Sequence, residues 1–289
     1  MKKIVFATAL LASNITFATS LFSYTVVTKG DLIGECSDFM GRTAVGKDAY
    51  LRDFLVQSET QQGCPLEVSG LLKMVRGSVS NSNGFTCAKA QQFDLDQTGI
   101  ADMQYNDIDN EDLAQQMNQA TLQLANMTSG TQRVINLNPS DIKDGRKLVL
   151  ETQGSEALII NLAGAQYSFN RIDIVLQGSA RPSNIIWNFF EASSVVMKNS
   201  GVRISQSGLN LGLPGTILAP YAEVKLNNML VTGAVFADKF VGQAEAENCS
   251  GRVSGQVNPD CFQSTIPGVG CERTIRRGKG GVYLPQKTQ

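Results

Sequence analysis

Gly215-Thr216-Ile217-Leu218-Ala219 and Gly233-Ala234-Val235-Phe236-Ala237 share one pattern, a glycine followed by four small or apolar residues. The two stretches lie about 18 residues apart, the length of one turn in a stacked β architecture. Asn227-Asn228 falls between them, and asparagine tolerates the left-handed backbone that a tight corner needs. A unit this short cannot bury its own apolar row, but stacked units bury one another's. The repeat therefore predicts a mainly β chain, a β-solenoid (parallel β-helix) built from rows of Ala, Val, Ile and Leu.

Working outward, short apolar pieces separated by Gly, Asn, Ser or Pro recur from Arg133 to Ala237, among them Ala157 to Leu162, Ile172 to Leu176 and Ile185 to Phe189. Strands at such intervals fit a solenoid or a sandwich, and the matched glycine units favour the solenoid. Earlier in the chain, Tyr24 to Thr28, Thr43 to Val45, Ala49 to Leu51 and Phe54 to Val56 read as further short strands. Residues 57–92 read as an insertion stapled by a disulfide.

The helix predicted over 109–128 rests on Leu113, Met117, Ala120, Leu124 and Met127, which recur at helical spacing and form one apolar stripe. Asp109 or Asn110 suits its N-cap, Glu111 and Asp112 suit the positive end of its dipole, and Gly130 closes it. Such a stripe is expected to dock along the β-body.

Residues 1–20 carry the parts of a signal peptide: Lys2 and Lys3, an apolar run from Ile4 to Ala12, and small residues from Thr16 to Ser20. Cleavage is expected after Ser20, with Ala18 as the alternative. The apolar run is short of the ~20 residues that a membrane span requires. The expected organisation is a leader (1–20), a binding domain (21–262) and a basic tail (263–289). After removal of the leader no transmembrane segment is expected. The location is expected to be secreted, periplasmic or the cell surface.

Net charge is −1. Without the leader and the Arg- and Lys-rich tail, the body sits at about −7, a poor match to nucleic acid. Six cysteines (Cys36, Cys64, Cys87, Cys249, Cys261, Cys271) in an exported chain predict disulfides. Proximity in the chain suggests Cys64 with Cys87, Cys249 with Cys261 or Cys271, and Cys36 with whichever of those remains. The sequence has no histidine, which removes Ser-His-Asp and Cys-His catalysis and His-ligated metals.

Asp94, Asp96, Thr98 and Asp102 place oxygens at calcium-loop spacing. Tyr105 stands where the closing carboxylate belongs, so the stretch reads as an acidic turn; no cofactor is expected. Asp173, Glu191, Arg171, Arg203 and Glu223 each stand alone on strand-like pieces, which argues against a polysaccharide-cleaving site. Trp187 reads as core and Asn188 as a corner residue. No Thr-x-Thr ladder marks an ice-binding face.

Two groups of residues carry a family resemblance. Gly41-Arg42-Thr43-Ala44-Val45-Gly46-Lys47-Asp48 resembles the glycine-rich opening of the choice-of-anchor A family of bacterial surface proteins. Ile185-Ile186-Trp187-Asn188-Phe189, then Gly215-Thr216-Ile217-Leu218-Ala219-Pro220, resembles that family's later motif. The second group and the helix before it also resemble, more distantly, bacterial ice-binding β-solenoid proteins. Lys47 replaces the family's usual second glycine. The resemblance implies a non-catalytic adhesive module for a surface polysaccharide or protein. Alternatives are a self-associating envelope or matrix protein, a polysaccharide-active enzyme and an ice-binding protein.

Overall fold

The computed structural model describes residues 20–58, 64–81, 86–93, 103–104, 111–130, 132–203, 210–243 and 255–271. The strands before the helix are β1 (Val26–Thr28), β2 (Leu32–Glu35), β3 (Asp38–Met40), β4 (Thr43–Val45), β5 (Ala49–Ser58), β6 (Leu66–Asn81), β7 (Thr86–Phe93) and β8 (Met103–Gln104). Helix α1 (Glu111–Ala125) follows, then β9 (Arg133–Leu137), β10 (Lys147–Thr152), β11 (Leu158–Leu162), β12 (Gln166–Asn170) and β13 (Asp173–Gly178). The remainder are β14 (Ile185–Asn188), β15 (Ser194–Lys198), β16 (Gly201–Arg203), β17 (Asn210–Pro214), β18 (Thr216–Asn227), β19 (Leu230–Thr232), β20 (Val235–Gln243) and β21 (Gln256–Asn258).

The two glycine units pair residue for residue: Ile217 opposite Val235, Leu218 opposite Phe236, Ala219 opposite Ala237. They belong to a parallel ladder running β9–β11–β14–β18–β20–β1–β4–β6–β7–β8. A second parallel ladder runs β12–β15–β18–β20–β2–β5–β6. A third runs β10–β13–β16–β17–β19–β21–β3–β5, parallel except between β16 and β17.

The strands do not stack in chain order. The first ones, β1 and β2, lie between β20 on one side and β4 and β5 on the other. Because β4 and β5 both pair with β6, hydrogen bonding runs round a circuit β20–β1–β4–β6–β5–β2–β20. The expectation of an open β-solenoid, or parallel β-helix, is corrected here: the sheet forms a closed six-stranded β-barrel. The physical reason is that the repeat spacing encodes a strand's length and facing, whereas the backbone groups that it pairs with lie far away in sequence. Within the stretch expected as an insertion, β6 and β7 continue the ladders.

Two apolar layers follow from side-chain alternation. Val26, Val45, Leu66, Leu158, Ile160, Trp187, Ile217 and Val235 point into the β-body core. Their neighbours Val27, Ala44, Ile159, Ile186, Leu218 and Phe236 point the other way, onto Leu113, Met117, Ala120 and Leu124 of α1. The predicted stripe is thus the docking face of the helix. The N-cap expected at Asp109 or Asn110 lies outside the described residues.

The C-terminal stretch 255–271 folds back over the same layer. Phe22 stands edge-on to Phe236 with ring centroids 5.3 Å apart and lies 6.4 Å from Phe262. Leu21 N–H donates to Gln116 Oε1 of α1 at 2.7 Å. Cys261 and Cys271 form a disulfide, which closes this segment. The expected pairing of Cys249 with one of these two is corrected accordingly. Only a short loop separates them, and their Cα atoms lie 6.0 Å apart, within bridging reach. Cys36 and Cys64 each take part in a disulfide, and the expected pairing of Cys36 with Cys261 or Cys271 is corrected likewise, since those two bond each other. Cys249 and the side chain of Cys87 lie outside the described residues.

Candidate binding surface

The motif residues are mostly structural. Trp187 is fully buried; its Nε1–H donates to the Pro214 carbonyl at 2.8 Å and Phe169 meets it edge-on at 5.9 Å. Asn188 does not sit at a corner, as the sequence suggested. It is a buried residue of β14 whose Nδ2 donates to the Thr121 carbonyl at 3.1 Å and to Asn161 Oδ1 at 2.9 Å. Asn161 in turn donates to the Leu124 carbonyl at 3.0 Å. The last carbonyls of a helix lack partners within it, and that of Leu124 accepts from both Asn161 and the Met127 N–H, the latter at 3.2 Å.

Arg42 Nη2 donates to Tyr24 OH at 2.8 Å and to Glu67 Oε1 at 2.6 Å. Its guanidinium lies 4.2 Å from the Tyr24 ring centroid, and Tyr24 OH donates to Glu67 Oε2 at 2.9 Å. Burial, followed by the Glu67 carboxylate, holds the Tyr24 hydroxyl well above the usual phenol range. Gly41 turns the chain into β4 with φ +139°, where Cβ-bearing residues are strained. At Gly46 a Cβ would run into the Lys29 carbonyl oxygen, so close approach requires glycine there. Lys47 has no left-handed φ and donates its N–H to the Gly30 carbonyl at 3.1 Å. Ala44, Thr216, Ala219 and Pro220 are buried, and Gly215 precedes β18 with φ +103°.

The carboxylates weighed as catalytic do not converge. Asp173 starts a strand of the third ladder, Glu223 belongs to the second, and Glu191 sits on the exposed turn after β14. The calcium-spaced set Asp94, Asp96, Thr98 and Asp102 lies outside the described residues. Among the described residues, no group of His, Cys, Asp or Glu is placed to hold a metal ion. No helix among them is long and apolar enough to cross a membrane.

What the sequence did not single out is the outer surface of the second ladder. Its register lines up Val196, Lys225, Val241, Ile33, Tyr50 and Lys73 on consecutive strands β15, β18, β20, β2, β5 and β6. Beside it, Lys198, Asn227 and Gln243 line up on β15, β18 and β20, and Glu35 faces Arg52 on β2 and β5. At about 4.8 Å per strand, the first row is ~24 Å long. Arg52 pairs with Glu35 at 3.3 Å and Lys239 with Glu223 at 3.3 Å.

Two tyrosines lie on this side. Tyr221, 44% exposed, follows the buried Pro220 where the β18 register slips, and Lys29 Nζ stands 4.8 Å from its ring centroid. Lys73 Nζ stands 5.5 Å from the ring of Tyr50. Partial burial lowers the Lys29 pKa, which Asp238 at 4.0 Å opposes. Period-two alternation marks these positions as outward, but only the ladder register makes them neighbours.

A family model described as "Putative Ice-binding-like adhesive domain" matches residues 80–248. No curated protein matches the chain. Among solved structures, it is similar to an ice-binding protein from the Antarctic ascomycete Antarctomyces psychrotrophicus, at 10% identity and TM-score 0.35, over 82% of this chain and 95% of that one. A second is an ice-binding protein from an Antarctic biological consortium, at 12% identity and TM-score 0.29, with the same coverage of each chain. The resemblance to the choice-of-anchor A family is corrected to this ice-binding-like one. Its later motif, Ile185 to Ala219, falls within the matched residues, whereas Gly41 to Asp48 lies before them.

Proposed function

Since this chain belongs to the family of ice-binding-like adhesive domains, we propose that it is an exported, non-catalytic binding module. It holds a surface polysaccharide or protein through the outer face of the second ladder. One observation carries this reading: Val196, Lys225, Val241, Ile33, Tyr50 and Lys73 stand in register across six strands. A rigid sheet presents such a row with little loss of side-chain freedom on binding, which favours an extended ligand. The face suits recognition of a polymer better than of ice, because charged residues interrupt it and no threonine row crosses it.

The test is an array of surface glycans and envelope proteins probed with the mature chain. We expect retention on at least one ligand class, lost in a Tyr50→Ala, Lys225→Glu double variant. Leu122→Ala, an exposed position of α1, is expected to bind like the parent. Absence of binding to every class, or equal binding by the double variant, rejects the proposal.

A second reading, self-association, is favoured by the end strands β9, β10 and β12, each of which has one described partner strand. Unpaired edges of this kind template pairing with another chain. Light scattering across protein concentration tests it; a strictly monomeric species rejects it.

A further inference from the structure

We infer that the ligand of this face is an acidic polysaccharide, lying across the strands along the row Lys225–Val241–Ile33–Tyr50–Lys73; the inference rests on the binding role proposed above. The first argument is charge. The row and the positions beside it carry Lys225 and Lys73, and Lys198 and Arg52, against Glu35 alone, a surplus of positive charge on a chain whose net charge is −1. The edge alongside is of the opposite kind, with Asp31, Asp48, Asp238 and Glu223 against Lys29, Lys47 and Lys239. Attraction for an anion is therefore confined to the sheet surface, where it also sets the ligand's path.

The second argument is the floor between the cations. The half-buried Ile33 and Tyr50 occupy consecutive strands beside Lys73, with the nearly buried Val241 beneath the step to Lys225. A pyranose ring has an apolar C–H face that packs on such side chains and equatorial groups that reach sideways to ammonium ions. The inter-strand step of ~4.8 Å is close to the length of one sugar residue in a polymer. Successive rings thus meet successive strands, with a uronate carboxylate near Lys73 when its ring stacks on Tyr50. The Lys73–Tyr50 contact already places an ammonium beside that ring. A nucleic acid would offer the charge but not the matching repeat, and an acidic peptide would offer neither the repeat nor the apolar ring face.

The experiment is titration of the mature chain with polygalacturonate, its fully methyl-esterified form and single-stranded DNA, read by a binding isotherm at two salt concentrations. Binding to polygalacturonate is expected to weaken about tenfold or more on esterification, and about tenfold in each of Tyr50→Ala, Lys73→Gln and Lys225→Gln. Added salt is expected to weaken it further. Circular dichroism identifies any variant that fails to fold, and Leu122→Ala is expected to keep parental affinity. Equal binding of the esterified polymer, equal binding of DNA, or indifference to Tyr50→Ala and Lys73→Gln overturns the inference. A chain that is retained on the array through this face, yet ignores polygalacturonate, overturns it while leaving the binding role standing.

Discussion

Asn188 on β14 donates its side-chain amide to the side-chain oxygen of Asn161 on β11 at 2.9 Å, and the two residues are register partners on adjacent strands. Together they reach the carbonyls of Thr121 and Leu124, so the helix is tied to the sheet by buried polar bonds as well as by its apolar stripe. Asn188→Leu strands the Asn161 oxygen and the Thr121 hydroxyl in an apolar setting. The expected cost is about 2–4 kcal/mol, since unsatisfied buried groups cost more than a bond contributes. Urea unfolding of Asn161→Leu, Asn188→Leu and the double variant is expected to show a double-variant loss well below the sum. Strict additivity would show that the pair does not act as a unit.

Trp187 fills the core and binds the Pro214 carbonyl. Trp187→Ala is expected to lose ~3–5 kcal/mol of stability. Trp187→Phe is expected to lose less, keeping most of the volume but leaving the carbonyl unpaired. Neither change reaches the outer face, so ligand affinity of the folded fraction is expected to stay at the parental level. An affinity loss without a stability loss would contradict the core assignment.

Glycine substitutions separate close approach from ordinary turns. A Cβ at Gly46 meets the Lys29 backbone, whereas one at Gly130 meets nothing within 4 Å. Gly46→Ala is expected to cost about 1–3 kcal/mol, as overpacking does. Gly130→Ala is expected to be near neutral or slightly stabilising. Thermal melts of the two variants measure the contrast, and equal melting temperatures would refute it.

Burial raises the Asp38 carboxyl pKa above its ordinary value of 3.8. The folded state then holds its proton more tightly than the unfolded chain. Stability attributable to this group therefore falls as pH rises from about 3.8 through the higher folded value, and the penalty is fully present at neutral pH. Asp38→Asn is expected to stabilise the protein at pH 7 and to show a smaller difference near pH 3.5. Denaturant titrations at the two pH values decide it; a larger gain at the acidic value would reverse the sign.

The Cys261–Cys271 bridge closes a short loop that bears Phe262, Ile266 and Val269 against Phe22 and Phe236. Replacing both cysteines by serine is expected to cost ~3 kcal/mol by the loop-entropy relation. Hydrogen exchange is expected to speed up first in the Leu21 amide, which bonds Gln116, and in the strand residues beneath. Unchanged protection at Leu21 would show that the segment holds without its bridge.

Much of the local structure was legible beforehand. The helical stripe of Leu113, Met117, Ala120 and Leu124 named its own docking face, because a 3.6-residue period leaves one geometry for a half-buried helix. The paired glycine units announced their register, and Ile217 does lie opposite Val235. Trp187 was legible as core from its apolar run. Asn188 was not legible, since an asparagine in a corner and one bridging to a helix look alike in sequence. Tyr221 and Tyr50 were legible only as outward positions, and nothing local made them neighbours of Lys29 and Lys73.

What the sequence by itself determined is which side chains face in and which face out, because alternation and helical spacing are local properties of the chain. What only the tertiary structure decided is who stands next to whom. β1 and β2 enter between β20 and the β4–β5 pair and close the circuit, and the same register brings Lys225, Tyr50 and Lys73 into one row. The reason is that backbone hydrogen bonding is blind to residue identity and the entropy of closing a long loop grows only slowly with its length. Strand partners from opposite ends of the chain are therefore nearly as accessible as sequential ones, and the packing of the whole core selects between them.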